Sequence, residues 1–198
     1  MKKFAILAFA AIAFAACTQN NQNMRQQNAI DVIKTRVSVR HFNGEKIADE
    51  QIQTLLQCAM AAPSAVNKQP WAFIVVTDEN VLAQLAQASP YSRCDNNPAC
   101  AFVMCGDLTK ALEGEGQDYW IQDVSAATQN LLLAAHCMGL GAVWTGVYPI
   151  AERVKAVSAV LQLPEHIVPL CIVPVGVPAE QPEVKDKFNN DNIHYNIW

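Results

Sequence analysis

Apolar positions recur at helical spacing after Asp49: Ile52, Leu55, Leu56, Ala59 and Met60 share a face, and Pro63 stops the run. Asp49 is the expected N-cap, because a short carboxylate can accept from the first unpaired N–H groups of a helix. The pattern then changes period. Trp71 to Thr77 is a compact β-branched and aromatic run, which predicts a buried strand. Asp78 is placed to cap a short helix through Ala88, and Ala101 to Cys105 predicts another strand. Tyr119 to Met138 predicts a long helix stopped by Gly139 as a C-terminal cap. It is apolar over most of its circumference, so it is expected to be buried, in the core or at a subunit interface. Ala142 to Tyr148 follows as a strand, Glu152 to Leu161 as a helix ended before Pro164, and Val168 to Val175 as a last strand. Helices and strands mix without a βαβ rhythm, which predicts an α+β fold. After Pro178 the chain turns polar, yet it closes on His194-Tyr195-Asn196-Ile197-Trp198, an aromatic tail expected to dock on a surface.

The first residues carry a different pattern. Lys2 and Lys3 precede an unbroken apolar run from Phe4 to Phe14, which falls short of the ~20 residues a membrane-spanning helix needs. Charge, length and small-residue end match a secretory signal over residues 1–16. Phe14-Ala15-Ala16-Cys17 is similar to a bacterial lipobox, with Phe14 departing from the usual Leu. The similarity implies lipidation of Cys17 and an exported, lipid-anchored chain at the cell envelope, facing the periplasm or in the outer membrane; ordinary secretion and a buried helix are the alternatives. Residues 17–27, rich in Asn and Gln, read as a flexible tether, which leaves 28–198 as one domain with a sizeable core.

Charge narrows the choice of partner. Without Lys2 and Lys3 the chain has 12 basic against 18 acidic residues, a formal charge of −6, and no basic run, which argues against nucleic acid. Of the seven cysteines, Cys58, Cys137 and Cys171 sit in apolar stretches as buried hydrophobes do. Cys94 and Cys100, flanking Asp95 to Pro98, are the best candidates for a bridge, and no Cys/His spacing suggests zinc.

Two segments could carry chemistry. If Arg36-Val37-Ser38-Val39-Arg40 is extended, Arg36, Ser38 and Arg40 point to one side, where two guanidiniums and a hydroxyl suit a phosphate monoester. The plainer reading is a solvated arginine pair at a helix end. Ala62-Pro63-Ser64-Ala65-Val66-Asn67-Lys68-Gln69-Pro70-Trp71 joins a helix to a buried strand. Its prolines fix the backbone, its small residues admit a flat ligand, and Asn67 and Gln69 offer both donors and acceptors, as a flavin ring edge requires. The plainer reading is a rigid loop whose amides bond only to backbone.

With Asp123 through Asn130-Leu131-Leu132-Leu133-Ala134-Ala135, Gly139-Leu140-Gly141-Ala142-Val143-Trp144, Val175-Gly176-Val177-Pro178 and the aromatic tail, these segments make the chain resemble the FMN-dependent nitroreductase family over most of its length. The resemblance implies an antiparallel-centred mixed sheet flanked by helices, in an intertwined homodimer with flavins at the interface. It implies a flavoprotein that moves two electrons from NADH or NADPH through FMN to a nitroaromatic, quinone or similar flat acceptor. By the same resemblance, Arg36, Ser38 and Arg40 hold the FMN phosphate and ribityl chain, while Pro63, Ser64, Ala65, Asn67 and Gln69 reach the ring from the partner subunit. The Trp144-Thr145-Gly146 backbone faces the flavin, and Lys185 or Lys187 adds charge at the phosphate. The flavin then carries the chemistry, so no catalytic acid, base or nucleophile is expected. His41, His136, His166 and His194 form no triad spacing. Gly139-x-Gly141-x-x-Trp144 is no dinucleotide fingerprint, since the third Gly is missing and the helix precedes the strand. Ala111 to Tyr119, with Gly114 and Gly116, is a candidate loop over the flavin. An export signal conflicts with a nicotinamide donor, which is scarce outside the cytoplasm. The competing reading is an envelope lipoprotein that uses the fold for binding or for a non-reductase flavin reaction.

Overall fold

The computed structural model describes residues 29–198, so the signal, tether and Cys17 readings lie outside the described residues. The chain divides into two units at Lys34/Thr35, and of the first only residues 29–34 are described, within helix α1 (Ala29–Thr35). Asp31 in its first turn and Lys34 in its last match the helix dipole.

Thr35–Trp198 is built on one sheet. Its strands are β1 (Trp71–Val76), β2 (Cys100–Asp107), β3 (Gly141–Ala142), β4 (Thr145–Gly146) and β5 (Ile167–Gly176). The order is β1-β2-β5-β3, with β4 also pairing β5, and every one of these pairings is antiparallel. The parallel component of the expected mixed sheet has no counterpart among them.

Alternation along β2 explains the layers. Cys100, Phe102 and Met104 face a core with Leu55 and Ala59 of helix α2 (Asp49–Met60) and Val124, Ala127 and Leu131 of helix α4 (Tyr119–Cys137). Ala101, Val103 and Cys105 face a second core with Leu82 and Leu85 of helix α3 (Glu79–Ala88) and Val157 of helix α5 (Ala151–Leu161). Helices therefore cover both faces, and each fully buried Leu, Ile or Phe contributes ~1.5–3 kcal/mol. At Gly106 a Cβ would run into the Trp120 ring, so this glycine lets α4 lie close on the sheet.

Asp78 caps α3 as expected, accepting from Asn80 N–H at 2.9 Å and Val81 N–H at 3.0 Å. Asp49 does not cap α2: it is the first helical residue, and the N-cap is Ala48, whose N–H donates to Gln51 Oε1 at 3.0 Å. Gln51 thereby satisfies the N-cap N–H, the reciprocal half of a capping box, and Asp49 still favours the positive helix end.

The expected strand Ala142–Tyr148 is broken into β3 and β4. Ala142 pairs with Val175 and Thr145 with Ile172, so Val143 and Trp144 face the stretch that holds Pro174. Proline has no N–H to donate, and a continuous ladder fails there. Pro169 sits beside a register shift opposite Met104/Cys105. Leu170 is the extra residue, and its carbonyl accepts from both Val147 N–H and Tyr148 N–H.

Cys94 and Cys100 are free thiols, both buried, so the candidate bridge is not formed. The aromatic tail does not dock within the chain: His194 and Trp198 stack at 4.0 Å, but Trp198 is 98% exposed.

Candidate functional site

The segment from Arg36 to Arg40 follows α1 as extended chain held from one side. Val39, 5% exposed, donates its N–H to Ala142 O at 3.0 Å. A Cβ on Gly141 would stand 2.6 Å from Val39 Cγ1, so only glycine lets the segment approach β3 this closely. Beyond it, Phe42 N–H donates to Asn96 O, Asn43 N–H to Val177 O, and Ala179 N–H to His41 O. With Val39 turned inward, Ser38 is left half-buried and Arg40 exposed, as strand-like alternation requires. Thr35 Oγ1 is 2.9 Å from His136 Nε2 near the C-terminal end of α4. Burial, and secondly the charge of Arg36, hold the His136 imidazole below its ordinary pKa.

Arg40 lines a cleft of about 380 Å³ with Trp144, Thr145 and Gly146, so two of the resemblance's separate segments meet. Thr145 is fixed by its hydroxyl, which donates to Ile172 O at 2.6 Å. A Cβ on Gly146 would meet nothing within 4 Å, so this backbone opens into free space. Sequence reasoning missed three further lining residues: Tyr91, Arg93 and Arg153. Arg153 donates to Gly146 O at 3.4 Å, and its guanidinium lies 5.2 Å from the Tyr91 ring centre. Arg36 and Ser38 do not line this cleft.

Pro63, Ser64 and Ala65 line a second cleft, of about 340 Å³, with Tyr119, Gln122 and Asp123 of α4. Asp123, 6% exposed, accepts from Ala65 N–H at 2.8 Å. Ser64 Oγ accepts from Gln69 N–H at 2.9 Å, and Gln69 Nε2 donates to Asn67 Oδ1 at 3.3 Å. These bonds hold Val66, Asn67 and Gln69 at φ 51, 56 and 51°. Such left-handed backbone is uncommon outside glycine, and for the β-branched Val66 it is a true outlier. The plainer reading of this loop is thus partly realised, because its polar groups are already bonded to one another. The one acidic residue of α4, on a mostly apolar helix, was the signal that could have singled out Asp123.

Lys185 and Lys187 are exposed in the coil after β5 and line neither cleft. Gly114–Gly116 form a 3₁₀ turn just before α4; neither glycine lines either cleft, but Tyr119, at the end of the candidate loop, lines the second. A larger cleft of about 660 Å³ lies between α3 and the 94–98 loop, and none of the residues expected to bind the cofactor lines it.

Comparison with known proteins agrees with this architecture. A family model described as the nitroreductase family matches residues 33–90 and 90–177. A protein of Archaeoglobus fulgidus, named for an NADH dehydrogenase/NAD(P)H nitroreductase, is 43% identical over 175 residues, covering 87% of this chain and 99% of its own. A crystal structure from Parabacteroides distasonis, named for the same activity, superposes with a TM-score of 0.81 at 43% identity, covering 87% of this chain and all of its own. The NADPH:FMN oxidoreductase of Vibrio harveyi, solved in complex with NAD+, superposes with a TM-score of 0.77 at 31% identity, covering 87% and 78%.

Proposed function

Because this chain belongs to the nitroreductase family, we propose that it is an FMN-dependent oxidoreductase that draws a hydride from NAD(P)H and passes two electrons to a nitroaromatic, quinone or similar flat acceptor. Bound FMN supplies the acceptance and return of the hydride; the protein supplies position, charge and shelter from water.

The observation that carries the reading is the seating of the 36–40 segment on Gly141, which brings Arg40 beside the open backbone of Gly146. A planar cofactor with an anionic tail fits that pairing, since a guanidinium suits the tail and a glycine backbone without a neighbouring side chain admits the ring. In this reading Arg36, Ser38 and Arg40 bind the phosphate and ribityl chain, and the Trp144-Thr145-Gly146 backbone orients the ring. Pro63, Ser64, Ala65, Asn67 and Gln69 cover the ring from the partner subunit of a homodimer, and Lys185 or Lys187 adds charge at the phosphate.

Two features support the homodimer. Asp123 fastens the 63–69 loop near the start of α4, whereas His136 bonds Thr35, next to Arg36, at its end. Thirteen residues of helix separate those anchors by roughly 20 Å, and the two segments line separate clefts within one chain. In addition, Tyr195, Ile197 and Trp198 form an exposed apolar tail that a second copy can cover. Lipidation at Cys17 and residence at the cell envelope stand as a separate proposal on residues 1–17, checked by fatty-acid labelling of the whole chain against Cys17→Ser.

Purified protein is expected to be yellow with one FMN per chain, and to be bleached by NADH or NADPH in stopped-flow mixing. A colourless protein that takes up no added FMN refutes the flavin reading. A yellow protein bleached by neither nucleotide refutes the donor.

A further inference from the structure

The chain has only five arginines, Arg25, Arg36, Arg40, Arg93 and Arg153, in a sequence with an excess of acidic residues. Three of the five line the single cleft beside Gly146, and among the described residues none that lines it is acidic. This concentration is not explained by the binding segment already described. Arg93 comes from the loop between α3 and β2, and Arg153 from the first turn of α5.

Local structure fixes the backbone of Arg93 and the side chain of Arg153. Arg93 sits at φ 60°, a left-handed conformation uncommon for a residue with a Cβ, and its carbonyl accepts from Asn96 N–H at 3.2 Å to close the turn. Arg153 is braced between Gly146 O and the face of Tyr91. That contact uses one nitrogen and one face of its guanidinium, leaving further N–H groups of the fork available. Three like charges around one small cleft repel one another, and an anion between them removes that repulsion while accepting paired charge-assisted bonds. Trp144 and Tyr91 give the cleft flat walls.

We infer that Arg93 and Arg153 form an anion subsite beside the flavin that takes a phosphate or carboxylate group of the second substrate. The inference rests on the flavin reading above, which assigns Arg40 to the cofactor and leaves these two cations for whatever docks over the ring. The two sources of such an anion are the phosphates of the nicotinamide donor and a carboxylate on the aromatic acceptor.

The test uses full-length protein loaded with FMN, the charge-removing variant Arg93→Gln/Arg153→Gln and the charge-keeping variant Arg93→Lys/Arg153→Lys, with inorganic pyrophosphate as probe. Wild type is expected to be inhibited competitively by pyrophosphate, with a Ki raised tenfold or more in the Gln variant and largely restored in the Lys variant. Tenfold corresponds to about 1.4 kcal/mol, the lower edge of one charge-assisted bond. Competition against NADPH assigns the anion to the donor, and competition against 4-nitrobenzoate assigns it to the acceptor. Either supports the subsite. An unchanged Ki in a yellow Gln variant overturns it, as does loss of FMN from that variant, since the two arginines then belong to the cofactor. A wild-type protein that binds no FMN overturns the flavin reading and this inference together.

Discussion

Replacing Asp123 by Ala removes the acceptor that holds the strained loop, and the cost can be worked from the geometry. Asp123 Oδ1 accepts from Ala65 N–H at 2.8 Å in a nearly dry place, so the loss leaves that N–H without its partner. A hydrogen bond to a charged group is worth ~1.5–3 kcal/mol. Each kcal/mol moves the melting temperature of a domain this size by ~2–4 °C, so the expected fall is ~3–12 °C. The loop itself should register the change more sharply than the global melt. Val66, Asn67 and Gln69 are kept in left-handed backbone that costs ~1–2 kcal/mol for each residue with a Cβ. With Ala65 unfastened, relaxation toward ordinary backbone relieves that cost, and Lys68, exposed in the middle of the loop, becomes a site for trypsin. Asp123→Asn keeps a carbonyl oxygen without the charge, and is expected to lie between wild type and Asp123→Ala in both measurements. Calorimetry together with the rate of tryptic cleavage after Lys68 decides the matter. A melting temperature within 1 °C of wild type, with an unchanged cleavage rate, would refute the claim that Asp123 holds this loop.

Four other outcomes are expected. Gly141→Ala places a methyl 2.6 Å from Val39 Cγ1, and overpacking of this kind costs ~1–3 kcal/mol; differential scanning should show the loss, and FMN titration should show weaker binding as the 36–40 segment is pushed off β3. Arg36→Ala and Arg40→Ala should each weaken FMN binding roughly tenfold or more, read by flavin fluorescence, and full affinity in both would remove the phosphate assignment. Burial raises the thiols of Cys94 to about 11 and of Cys100 and Cys105 to about 12, and raises Cys171 further, so at pH 8 a disulfide reagent should label exposed Cys137 and half-buried Cys58 and reach those four only on unfolding. Because burial and Arg36 lower the pKa of His136 in the folded chain, the unfolded chain binds the proton first as pH falls through 6.5; stability should be full above that value and decline below it, His136→Gln should flatten the decline, and Arg36→Ala should raise the His136 titration seen by NMR.

Much of the fold was legible because buried elements announce themselves by period. The long run behind α4 with Gly139 at its end, the Asp78 cap and the apolar run of β1 were readable from propensity and punctuation alone. The cap of α2 was misplaced because the helix begins one residue earlier, with Ala48 at the N-cap and Asp49 already inside the first turn. The break between β3 and β4 was missed although Pro174 stood in the sequence, because its effect depends on which residues face it across the sheet. Arg40 and Trp144 to Gly146 were legible because each segment carries a local signature. Arg93 and Arg153 carry none. They reach the cleft through a turn and a helix start that lie 60 residues apart in sequence, a juxtaposition that only the folded chain reveals.

Helix α4 links these observations physically. Its apolar stripe packs on β2 and β5, and three of its polar positions each fasten a different segment: Asp123 the 63–69 loop, Asn130 the carbonyl of Cys58 in the last turn of α2, and His136 the hydroxyl of Thr35 beside Arg36. Just past its end, Gly141 receives Val39. Segments without regular structure cannot hold a ligand geometry by themselves, because each ordered residue costs ~1–2 kcal/mol in lost backbone freedom. Fixing both segments to one rigid rod solves that problem, and within one chain they line separate clefts. Asp123 and His136 differ by roughly 20 Å along the rod and by about 140° around it, so the loop and the arginine segment leave it in different directions. A site that needs both, as the proposed flavin site does, would be assembled from two rods, one from each copy of the proposed homodimer.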